Sequence, residues 1–170
     1  VVLYAGAHGL SNNLNIILDA AKITLSNPKI KYVFVGDGKE KTNLVARAEA
    51  ESLTNVCFTP SVPKNEMGAV LAAADACVAI LKPIEMYKTT YPNKVFDYMA
   101  AAKPVLLMID GVIRDVVEKA ACGIFIEPSN PAALAATVMR LSHDKQALTK
   151  MGMWGRNYIE KNFNRTKLTE

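Results

Sequence analysis

Six short apolar runs, each followed by a segment of helical periodicity, recur along this 170-residue chain. The runs are Val1–Ala5, Tyr32–Val35, Val56–Phe58, Ala76–Ile80, Val105–Met108 and Gly123–Ile126. They are apolar throughout and rich in Val and Ile, as strands buried on both faces are. Between them, Leu14, Ile17, Leu18, Ala21 and Leu25 mark a helix starting at Ser11 or Asn12 and stopped by Asn27-Pro28. Further helices are predicted over roughly 40–52, 64–73 and 113–120, after Pro92, and as two or three pieces from Asn130 to Phe163. Residues from Leu81 to Pro92 read as a loop. Regular alternation of this kind predicts a doubly wound α/β domain, a parallel sheet covered by helices on both faces. The chain opens on a strand valine with no polar lead-in, which reads as one domain of a longer protein.

Composition narrows the function classes. A formal charge of +4 is small and scattered, with no block of about five like charges and no aromatics interleaved with basic residues, so nucleic acid is not an expected partner. Cys57, Cys77 and Cys122 are widely spaced and lack any C-x-x-C pattern. Cys57 and Cys77 sit inside apolar runs and read as buried free thiols of a reducing compartment. With only His8 and His143 beside them, a zinc site is not expected. No stretch of about eighteen apolar residues and no signal-peptide pattern occurs, so no membrane span or export signal is read here.

Ligands of doubly wound sheets bind beyond the carboxyl ends of the strands. Three loops fall there. Gly6-Ala7-His8-Gly9 follows the first strand, and its glycines permit close approach of backbone to an anion; the same loop reads equally well as a tight turn, with His8 solvated. Pro60 to Lys64 follows the third strand and reads as a stiff connection. Thr89, Thr90 and Asn93 lead into the helix carrying Lys94 and Asp97. Asp37, between two glycines, reads as a turn former. Lys94 and Asp97 alone would make a surface ion pair worth a few tenths of a kcal/mol, on the order expected for i,i+3 neighbours. Placed at one sheet edge, they suggest more. One helical turn is about 5.4 Å, comparable with the step from a diphosphate to a ribose. Lys94 beside free helix-start amides suits phosphate. Asp97 can accept hydrogen bonds from vicinal hydroxyls.

Along nearly its whole length the chain resembles the C-terminal, nucleotide-sugar-binding domain of the GT-B glycosyltransferases of glycosyltransferase family 4. The likeness lies in "YAGAHGLSNNLNIILDAA", "YVFVGDGKEKTNL", "NVCFTPSVPKNEMGAVLAAADACVAI", "NKVFDYMAAAKPVL" and "MGMWGRNYIEKNF", in that order. The fourth segment is similar to bacterial surface-polysaccharide and O-antigen enzymes, including relatives of the N-acetylfucosamine transferases. The resemblance implies that residues 1–170 bind the donor and that an acceptor-binding N-terminal domain lies outside this chain. It implies a retaining transfer from a nucleotide-diphosphate sugar, uridine being preferred to guanosine, to a hydroxyl of a lipid-linked or polysaccharide precursor. It implies no cofactor or tightly bound metal, and a cytoplasmic setting with the intact enzyme at the inner membrane face.

Residue by residue, it places Asp97 on the donor ribose, where relatives carry an acid. Thr89 stands where relatives have a sugar-contacting acid. Ala7 and Asn12 stand where they have a diphosphate-binding arginine and lysine, so Lys94 is left to restore part of that charge. Lys64 matches a basic residue near the base. The donor-binding set is thus Gly6, His8, Gly9, Asn12, Lys64, Thr89, Thr90, Asn93, Lys94 and Asp97, with no catalytic base. A nucleotide-sugar epimerase would share this architecture. A dinucleotide-dependent oxidoreductase would need G-x-G-x-x-G after the first strand, which Gly6-Ala7-His8-Gly9 does not supply.

Overall fold

The computed structural model describes residues 1–162. Strands β1 (Val2–Ala5), β2 (Tyr32–Val35), β3 (Val56–Thr59), β4 (Ala76–Ile80), β5 (Val105–Met108) and β6 (Gly123–Phe125) form one sheet. Its order is β3-β2-β1-β4-β5-β6, and every neighbouring pair is parallel. The predicted strands are therefore all present. Helices α1 (Asn15–Ile23), α2 (Lys41–Ala50), α3 (Met67–Ala72), α4 (Asn93–Ala100), α5 (Val112–Ala120), α6 (Pro131–Leu141) and α7 (Lys145–Asn162) flank it.

The period-two alternation of strand side chains divides the interior into two cores. Val2, Tyr4, Val78, Ile80, Leu106 and Met108 face the layer of α1, α2 and α6. Leu3, Ala5, Cys77, Ala79, Val105 and Leu107 face α4 and α5. Helix α7 lies against α4 through buried glycines: a Cβ on Gly152 would stand 2.1 Å from the Ala102 carbonyl oxygen. That contact explains the spacing of the closing "MGMWGRNYIE" segment.

Several boundaries differ from expectation. A 3₁₀ turn, Leu10–Asn12, precedes α1, because Asn13 adopts the left-handed conformation (φ 52°) that asparagine tolerates better than most residues. The helix ends at Ile23, before Asn27-Pro28. Residues 64–66 form a 3₁₀ turn ahead of a short α3. The loop to Pro92 contains a 3₁₀ turn, Glu85–Thr89, held by a Lys88–Glu85 ion pair at 2.9 Å. The last segment holds two helices, and Phe163, the predicted end, lies outside the described residues. Cys57 is exposed, not buried, since β3 is an edge strand. Cys77 and Cys122 are buried thiols. Among the described residues no helix is long and apolar enough to cross a membrane.

Candidate functional site at the strand switch point

Strand order reverses between β1 and β4, where such sheets open a crevice at their carboxyl edge. The two strands pair only at Val2–Ala76 and Leu3–Cys77 and then part. The Gly6 amide bonds Val35 of β2, so the Ala5 amide points toward the gap. The Cys77 amide bonds Pro104 on the β5 side, so the Val78 carbonyl points into the gap from opposite. Tyr98 of α4 bridges them. Its hydroxyl accepts from the Ala5 amide at 3.2 Å and donates to the Val78 carbonyl at 3.0 Å. Helix α4 is thereby fixed across the opening.

One turn earlier on α4, Lys94 reaches the loop that follows β1. Its Nζ donates to the Tyr4 hydroxyl at 2.9 Å and stands 4.3 Å from the Tyr4 ring centroid. It lies so close to Gly6 (φ +153°) that a Cβ there would be 2.5 Å from Nζ. Burial holds the Lys94 ammonium down at about 8, and burial pushes the Tyr4 phenol well up. A cation thus faces a neutral phenol. Among the described residues no carboxylate pairs with Lys94. The surface pair with Asp97 is not made, and Asp97 lies exposed.

The loops after β1 and β2 are laced together. The His8 amide bonds the Asp37 carbonyl at 2.9 Å, and the Glu40 amide bonds the His8 carbonyl at 2.8 Å. Gly36 (φ +145°) permits this closeness, for a Cβ there would meet the Gly6 carbonyl oxygen at 2.0 Å. Lys41 donates to the Gly36 and Thr59 carbonyls at 2.8 and 3.1 Å, so its charge is spent on strand ends. Asp37 accepts from the Gly38 amide at 2.8 Å, as a turn former does.

His8 corrects the reading of a solvated residue. It is fully buried, its ring centroid 5.9 Å from Tyr4, 6.1 Å from Phe34 and 6.2 Å from Phe58. Nδ1 lies 3.1 Å from the Gly6 carbonyl oxygen, which assigns the proton to Nδ1 and a lone pair to Nε2. Burial holds its pKa below the ordinary range; Lys41 and Lys94 act the same way, while the Gly6 carbonyl and Asp37 oppose them. His8 therefore packs the loop from beneath as a neutral ring.

The remaining predicted residues are placed as follows. Asn12 accepts from the Gly9 amide at 3.2 Å and closes the 3₁₀ turn. Thr89 and Thr90 donate to the Met86 carbonyl at 3.4 and 3.3 Å. Asn93 opens α4, exposed. A shallow recess between the loops after β1, β2 and β3 is lined by Ala7, Gly36, Asp37, Ser61, Val62 and Met67, among others. Lys64 is exposed at the neighbouring turn and does not line it. The structure thus brings Gly6, His8 and Lys94 together, adds Tyr4 and Tyr98, and leaves Lys64 apart. Local sequence marks the missed pair only as a tyrosine inside an aliphatic strand and another four residues after Lys94 on one helix face, and neither mark gives its role without the strand order.

Sheet order, crevice and helix placement define a Rossmann-like α/β domain. Residues 1–158 match the model of the family described as "Glycosyl transferases group 1", and the chain belongs to that family. It is 27% identical over 133 residues to a 2-deoxystreptamine glucosyltransferase of Streptomyces kanamyceticus, covering 78% of this chain and 33% of that one. Anabaena HepE, solved with UDP, superposes with a TM-score of 0.85 at 18% identity, covering 98% of this chain and 45% of that chain. The C-terminal domain of the group 1 glycosyl transferase LpcC from Francisella tularensis gives 0.79 at 16% identity, covering 95% of this chain and 85% of that one. Both structural likenesses show the same Rossmann-like α/β fold. The chain spans about a third of the length of the curated relative it matches.

Proposed function

We propose that this chain is the donor-binding half of a retaining glycosyltransferase, holding a nucleotide-diphosphate sugar across the β1/β4 crevice. The observation that carries this reading is Lys94: a largely desolvated ammonium at the crevice, set against Gly6 and bonded to a phenol. Burying a cation is costly unless something compensates it, and an anion arriving at the loop would. Diphosphate is an anion of the right size and charge for a lysine and nearby amides. HepE, with the same fold, is solved with UDP, which supports uridine as the base.

In this reading the domain does not break the glycosidic bond with a base of its own. It binds and orients the donor, and Lys94 with the loop stabilises the charge that develops on the departing diphosphate. The partner acceptor domain, the acceptor hydroxyl on a lipid-linked or polysaccharide precursor, and membership of glycosyltransferase family 4 complete the proposal. The acceptor domain and the family membership rest on the resemblance of the five ordered segments, and the polysaccharide acceptor on "NKVFDYMAAAKPV" among them. Thr90 and Asn93 lie at the entry to α4, and Lys64, exposed beside the recess, keeps a role at the base only through the resemblance.

Asp97 supplies the test of the ribose contact. It is exposed, one turn beyond Lys94, and its carboxylate enters no ion pair among the described residues. Asp97→Asn should weaken UDP binding about five- to tenfold, the scale of a hydrogen bond to a charged acceptor, while leaving the thermal midpoint unchanged. In the variant, 2′-deoxy-UDP should bind as well as UDP. If the deoxy ligand loses the same factor in both proteins, Asp97 does not hold the ribose.

A further inference from the structure

The Tyr4 hydroxyl joins two parts of the crevice that the sequence keeps ninety residues apart. It donates to the Ala7 carbonyl at 2.7 Å and accepts from Lys94 Nζ at 2.9 Å, which uses both its proton and a lone pair. A free lysine head has many rotamers to lose on meeting an anion. Here that freedom is already gone before a ligand arrives, and the ammonium is held beside Gly6. A carboxylate in the place of Tyr4 would orient Lys94 too, but would neutralise it and compete with the incoming anion. An aliphatic residue would leave the ammonium buried with no acceptor. A phenol kept neutral by burial orients the cation without cancelling its charge.

We infer that Tyr4 is a positioning residue for diphosphate: through one hydroxyl it fixes the Lys94 ammonium against Gly6 and ties it to the loop after β1. The inference rests on the diphosphate reading above, and adds a residue that acts through Lys94. It carries a pH signature. Among the described residues, Tyr4 from β1 and His8 from the loop meet Lys94, and Asp97 and Tyr98 stand within a turn of it on α4; His8 is neutral near pH 7 because burial disfavours its charged form. With the Lys94 ammonium held at about 8, diphosphate affinity should fall as pH rises through that value. Removing the Tyr4 hydroxyl takes an acceptor from the charged form, so the fall should begin at a lower pH.

The test is calorimetric titration of UDP and uridine into wild type, Tyr4→Phe, Lys94→Ala and the double variant, between about pH 7 and 9, a range above the phosphate titration near 6. Tyr4→Phe keeps the ring beneath the ammonium. It should bind UDP about tenfold more weakly and uridine within about twofold of wild type, which also certifies the fold. The double variant should bind UDP no more weakly than Lys94→Ala, because Tyr4 acts only through that lysine. The pH midpoint for UDP should be lower in Tyr4→Phe. Additive losses in the double variant, an equal loss for uridine, or an unmoved pH midpoint would overturn the positioning role. A wild type that binds UDP no better than uridine would instead overturn the diphosphate reading on which it rests.

Discussion

Lys94→Ala is expected to weaken the binding of UDP by about 1.5–3 kcal/mol, roughly ten- to a hundredfold, and that of uridine hardly at all. The asymmetry follows from what the ammonium touches: a phenol and a glycine loop, with no base-recognition group in reach of its bonds. The loss should shrink as salt rises, since a screened charge has been removed. Stability should report the same group differently. Burial holds the Lys94 ammonium at about 8 in the folded protein, below the 10.5 of a free lysine side chain. Between those values the unfolded chain binds the extra proton, so stability rises with pH across that window. The penalty for burying the charge is present below about 8 and disappears above 10.5. Wild type should therefore gain stability relative to Lys94→Ala over that range. A UDP affinity unchanged by Lys94→Ala would remove the cation from the diphosphate role.

Tyr98→Phe should produce the largest loss of stability. Its hydroxyl is the partner of the Ala5 amide and the Val78 carbonyl where β1 and β4 separate, and Tyr98 is almost completely buried. Phenylalanine fills the same space but leaves both backbone groups unpaired. Each orphan costs about 1–3 kcal/mol, so a total of about 2–6 kcal/mol is expected. For a domain of this length that corresponds to a thermal midpoint lower by about 5–25 °C. The crevice should also widen, because among the described residues no other side chain bridges those two groups, and UDP affinity should fall together with stability. A midpoint within about 2 °C of wild type would show that the bridge is dispensable.

Much of the architecture was legible because six short apolar runs rich in Val and Ile read as strands of a parallel sheet, and their spacing left room for a helix in each crossover. The helix ends were not, and the reasons are local. Asn13 takes the left-handed conformation within a segment whose apolar spacing runs smoothly from Leu14. Residues 85–89 wind into a turn although nothing in their periodicity marks one. Cys57 sits in an apolar run yet is exposed, because being at the sheet edge is a property of strand order that local sequence does not carry. In the site, the glycines and Lys94 were readable from their position relative to the strands. The burial of His8 was not, since it depends on Phe34 and Phe58 arriving from β2 and β3. The roles of Tyr4 and Tyr98 likewise depend on a pairing across about ninety residues. Tyr98 is legible only once β1 is known to lie beside β4.

The central claim is that a nucleoside diphosphate sits between the loop after β1 and the start of α4. Backbone amide NMR of the protein titrated with UDP-glucose tests it most directly. Saturable shifts are expected at Gly6–Gly9, Ser61–Val62 and Thr90–Asp97, with uridine reproducing only those of the second group. Shifts centred instead on the apolar recess at the opposite sheet edge, around Val2, Ile30 and Leu148, or a response to nicotinamide dinucleotide with none to UDP-glucose, would contradict it.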